Sequence, residues 1–67
     1  MGALIRRIAR YLVDKWDSLS SWVKKGIEWL AGTALVEAVL AGFDALVNYL
    51  SGLSQSVLEA IAKLLGL

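Results

Sequence analysis

Apolar residues recur three and four positions apart from one end of this chain to the other, and no proline interrupts them. That period puts them along one side of a helix, whereas a half-buried strand alternates every second residue. A proline inside a helix would remove a backbone hydrogen bond and clash with the preceding turn, so its absence permits uninterrupted helices. The expectation is an all-α fold.

The phase of the pattern divides the chain. At about 100° per residue, Leu4, Ile5, Ile8, Leu12 and Trp16 share one arc, and Arg6, Arg7, Arg10 and Asp14 the other. This predicts a first helix over 3–16. Asp17 or Ser18 can then cap a second helix, because a side-chain oxygen accepts a free backbone N–H. Over 19–31, Leu19, Trp22, Val23, Gly26, Ile27 and Leu30 form a stripe, with Ser21, Lys24, Lys25 and Glu28 opposite. Trp22 and Trp29 lie on one border of it. Gly32 suits the left-handed position after a helix end, and Thr33 can cap a third helix.

Leu35, Val36, Val39, Leu40, Phe43, Leu46, Val47 and Leu50 stay within about 140° on the same wheel. The phase is unbroken across Gly42, which predicts one helix over 34–50 with Gly42 as a close contact or a bend. Ser51 and Gly52 end it and Ser54 starts a fourth helix over 54–65. Val57, Leu58, Ile61, Leu64 and Leu65 face inward there, and Glu59 and Lys63 form an i,i+4 pair outside. Connections of two or three residues fold neighbouring helices back on each other. The predicted architecture is one domain, 1–67, built as a compact four-helix bundle. Its expected core is Ile8, Leu12, Leu19, Val23, Ile27, Leu30, Val39, Phe43, Leu46, Val47, Val57, Leu58, Ile61 and Leu65.

Chemistry is limited by what the chain lacks. It has no cysteine and no histidine, which removes disulfides, thiolate and most zinc sites, and the usual nucleophile–base pairs. Asp14, Asp17, Glu28, Glu37, Asp44 and Glu59 all fall on polar faces, most with a Lys or Arg within four residues. Glu37 and Asp44 are two carboxylates two turns apart, a thin ligand set for a cation. The expectation is no catalytic residue, no metal and no cofactor: not an enzyme.

Hydrophobic residues make up 58% of the chain and charged residues 19%, against about 45–50% and 25% in ordinary domains. Net charge is only +1, yet it is unevenly spread. Residues 1–25 carry six cations and two acids, and residues 26–67 one cation and four acids, giving +4 and −3. Arg6, Arg7, Arg10 and Lys15 can meet phosphates, but the near-zero net charge and the lack of any recognised module speak against nucleic acid. Charged residues break up any signal-peptide core. The longest stretch free of Asp, Glu, Lys and Arg, 45–58, holds too many polar residues to span a membrane. The remaining candidate is a membrane surface. Arg6, Arg7, Arg10, Lys15, Lys24 and Lys25 would draw anionic lipid, and Trp16, Trp22 and Trp29 would settle at headgroup depth. The competing interpretation is that these tryptophans merely close the edge of a core.

Met1-Gly2-Ala3-Leu4-Ile5 followed by basic residues resembles the start of leaderless two-peptide enterocins. Lys25-Gly26-Ile27-Glu28-Trp29-Leu30, a Gly-containing turn, then Leu35 and Glu37, resembles the middle of the aureocin and lacticin group, and Ile61-Ala62-Lys63-Leu64-Leu65-Gly66-Leu67 resembles its end. The resemblance implies a leaderless, secreted antimicrobial peptide with a saposin-like helical bundle, acting by membrane permeabilisation. Circular bacteriocins are the sister family: continuing the last helix through Leu67 into Met1 keeps Met1, Leu4, Ile5, Ile8 and Leu12 on the arc of Ile61 and Leu64. A linear formyl-Met chain and a joined backbone both stay open. An alternative of another class is a natural or designed bundle that buries its apolar surface as a homo-oligomer, with a structural role and no membrane activity.

Overall fold

The computed structural model describes residues 2–67; Met1, with its places in the opening motif and on the joined wheel, lies outside them. The first apolar arc folds into helix α1, Gly2–Lys15. Ile5, Ile8, Ala9 and Leu12 are buried along it, and Arg6, Arg7, Arg10 and Asp14 remain outside. A short 3-10 turn, Trp16–Ser18, comes next. It occupies the positions expected to cap the second helix, so the cap moves downstream. Helix α2, Ser21–Ala31, begins after Ser20, whose side chain makes no capping hydrogen bond.

The long third helix expected over 34–50 is two helices, α3 (Ala34–Ala41) and α4 (Phe43–Ser51). The break is at Gly42, with φ at +120° and ψ at −178°, a conformation that L side chains rarely adopt. The N–H of Gly42 closes α3 on the carbonyls of Ala38 and Val39, and the N–H of Leu46 opens α4 on the carbonyl of Gly42. Buried positions on either side, Leu35 and Val39 before, Leu46 and Leu50 after, still share one arc. A wheel registers that arc and is blind to the single dihedral that breaks it.

Helix α5, Gln55–Leu65, starts where expected, with Ser54 Oγ accepting from the N–H of Val57 at 3.3 Å. Thr33, by contrast, has helical dihedrals and makes no side-chain cap. Glu59 accepts from Gln55 Nε2 at 3.0 Å, one turn before it.

Five helices and no strand among the described residues form an all-α bundle. Its radius of gyration is 10.3 Å, close to the roughly 11 Å of a folded chain this long. Helix α1 packs chiefly on α4, and α2 chiefly on α5. Ile8, Leu12, Ile27, Leu35, Leu46, Leu50, Leu58 and Ile61 are fully buried, each contributing about 1.5–3 kcal/mol. Of the expected core, Ile8, Leu12, Ile27, Val39, Leu46, Leu58 and Ile61 are buried, whereas Leu19, Val23, Leu30, Phe43, Val47, Val57 and Leu65 are half-buried at its margin. The interior also takes Ala9, Ala31 and Ala62, small residues that let helix backbones approach and that carry little weight on a wheel. A polar tie crosses the molecule: Tyr49 Oη donates to the carbonyl of Ala31 at 2.5 Å. Its ring end lies so near Gly32 that a Cβ there would fall 2.9 Å from the hydroxyl, and Gly32 has φ at +97°.

Candidate membrane-binding surface

The tryptophans separate according to helix geometry. Trp16 terminates the apolar arc of α1 and is buried, 8% exposed. The arc that also holds Ile8 and Leu12 turns it inward, so it is a core residue and not part of an exposed surface. Trp22 and Trp29 are 69% and 86% exposed. Seven residues apart on α2, they lie on one side of it about 10 Å from each other. Leu40, near the end of α3, is 76% exposed. It stood at the rim of the predicted arc, two residues before the break at Gly42.

The cations separate too. Arg6, Arg7 and Arg10 are exposed and line one groove of about 430 Å³ together with Lys15. One acid, Asp14, shares it, so its charged side chains sum to +3. Phe43 and Leu67 supply apolar surface to the same groove. The guanidinium carbon of Arg10 lies 5.2 Å from the centre of the Phe43 ring, within cation–π range. A second groove of about 570 Å³ shares Arg6, Arg10 and Phe43 and adds Asp44 and Asn48.

Lys24 and Lys25 take different roles. Lys24 is half-buried, and its ammonium lies 5.7 Å from the Trp16 ring centre. It closes the edge of the core over that ring. Lys25 is exposed and lines a third groove, of about 370 Å³, with Trp29, Glu28 and Thr33. The basic, Trp-bearing surface expected from the first half of the chain thus resolves into two sets. Arg6, Arg7, Arg10 and Lys15 meet Phe43 and Leu67, and Lys25 meets Trp29. Phe43 and Leu67 were missed as groove residues because they come from α4 and the chain's end, and only tertiary packing brings them to α1.

The cluster on α1 works against the helix that carries it. Arg6 and Arg10 are an i,i+4 like-charge pair, and Arg7 and Arg10 stand at i,i+3, spacings at which equal charges repel. No acid occupies the first turn of α1 to offset them. Among the described residues there is no buried charged side chain and no buried side-chain polar atom without a partner. No helix there is long and apolar enough to cross a membrane. No family model, curated protein or solved structure matches the chain.

Proposed function

We propose that this chain is a secreted antimicrobial peptide of the bacteriocin type, which binds anionic bacterial membranes as a folded bundle and then permeabilises them. The observation that carries the proposal is the exposure of Trp22 and Trp29 on one edge of α2. Large aromatic side chains left in water favour a place at the membrane interface, ring buried and N–H wet. The cations of α1 supply the first attraction to an anionic surface.

Permeabilisation needs apolar faces to leave the core. Gly42 offers one place for such opening, since α3 and α4 are already separate helices there. Counting α3 and α4 as one helix bent at Gly42, the bundle has four arms, and we propose that it is saposin-like in this sense. Vesicle titration followed by tryptophan fluorescence tests the binding step. Trp22 and Trp29 should shift to the blue with anionic vesicles and hold their emission with zwitterionic ones.

The exposed Trp22, Trp29 and Leu40 favour one second reading, a homo-oligomer in which another copy covers them. Sedimentation across a concentration series separates the two. A dimer with no vesicle binding supports the second; a monomer that binds vesicles supports the first.

A further inference from the structure

Diffuse attraction between lysines or arginines and a charged bilayer needs no groove, yet this chain has an open one. Arg6, Arg7 and Arg10 share a groove of about 430 Å³ with apolar surface from Phe43 and Leu67, a size in the roughly 300–1,000 Å³ range of small-molecule sites. Guanidinium groups present forked donors that match phosphate oxygens two at a time, which an ammonium does not. Asp14, the acid in this groove, is outnumbered by its cations. The adjoining groove continues past Arg6, Arg10 and Phe43 to Asp44 and Asn48. A carboxylate and an amide there can accept from and donate to hydroxyl groups, while the carboxylate repels another acid.

We infer that these joined grooves are a one-to-one site for an anionic phospholipid whose headgroup is a polyol such as glycerol. The phosphate is held by Arg6, Arg7 and Arg10, the headgroup hydroxyls reach Asp44 and Asn48, and the first chain segments lie on Phe43 and Leu67. This rests on the membrane reading and deepens it: the groove selects a headgroup rather than charge alone.

The test uses the whole chain and soluble dihexanoyl lipids below their micelle concentration, with calorimetry and NMR shifts as readouts. Phosphatidylglycerol and phosphatidylserine carry the same net charge, so diffuse attraction treats them alike. The site predicts saturable one-to-one binding of the glycerol lipid, at least about tenfold tighter than the serine lipid, given the worth of one charge-assisted hydrogen bond. Glycerophosphoglycerol, the chain-free diester with the same single charge, should bind more weakly. Replacing Arg6, Arg7 and Arg10 together by Lys keeps the charge and removes the forks; affinity should fall about tenfold or more. Asp44→Ala should erase the preference for glycerol over serine. All four positions are on the surface of the bundle, so circular dichroism should confirm an unchanged fold. Equal binding of the two lipids, or full affinity in the triple-Lys variant, would overturn the site. Vesicle leakage is scored separately. Leakage without saturable binding overturns the site and leaves the membrane reading standing. Saturable, glycerol-selective binding without leakage supports the site and removes permeabilisation.

Discussion

Trp22 and Trp29 contribute little to the core, since most of each ring is in solvent. Changing both to Leu should leave the melting temperature nearly unchanged while weakening partition into anionic vesicles, because Leu lacks interfacial anchoring. A parallel loss of both would mean that the rings close the core after all. The basic residues allow a comparable separation. Replacing Arg6, Arg7 and Arg10 by Gln should reduce partitioning about a hundredfold, at roughly 1 kcal/mol per basic side chain near an anionic surface. Lys63 stands alone with Glu59 one turn before it, so Lys63→Gln should do far less. Vesicle co-sedimentation of the two variants measures the difference. Trp16 shows which sequence signal was stronger. Its residue type suggested the membrane interface, its place on the arc with Ile8 and Leu12 suggested the core, and the arc decided. Leu40 shares its predicted arc with Leu35 and Val39, yet it is 76% exposed while they are buried: a wheel gives the side of a helix and not which neighbour covers it.

The helical stretches were legible from periodicity, with α3 and α4 read as one, and the ends less so. The start of α5 at Ser54 could be read because a serine before an apolar run has a direct use for its oxygen. The start of α2 could not, and α3 starts at Ala34 as expected but without the Thr33 cap. A 3-10 turn takes up Asp17 and Ser18, and Thr33 keeps helical dihedrals. The break between α3 and α4 was hidden most completely, since Leu35, Val39, Leu46 and Leu50 hold one phase through it. Gly42 is where this element can be tested. A Cβ there meets nothing within 4 Å, yet φ is +120°, so the penalty for Ala is backbone strain rather than a clash. Gly42→Ala should destabilise the folded chain by about 1–2 kcal/mol, read by chemical denaturation. A more stable variant would mean that α3 and α4 prefer to be continuous. The Tyr49 hydroxyl ties α4 to the end of α2. Tyr49→Phe should cost about 1 kcal/mol, the net worth of one such hydrogen bond.

At the scale of the whole molecule, the all-α class could be read from spacing and from the lack of proline, but the groove on α1 could not. Arg6, Arg7 and Arg10 could be placed on one face from sequence. That Phe43 and Leu67 would join them depends on how α1 meets α4 and the chain's end, which no single-helix pattern encodes. A domain this size has a total stability of only about 3–10 kcal/mol, while truncating a fully buried leucine costs about 2–5. Leu46→Ala should therefore leave a chain close to unfolding at room temperature, visible as lost helix by circular dichroism in plain buffer. Phe43→Ala, at the half-buried margin, should cost less. The parent should be helical in the same buffer without lipid, because its core is formed before any membrane is met. Whether a preformed bundle attacks anionic membranes is tested most directly by dye release from phosphatidylglycerol vesicles compared with phosphatidylcholine vesicles. Such a bundle should release dye from the anionic vesicles at protein concentrations that leave the zwitterionic ones intact. Equal inertness toward both would contradict it.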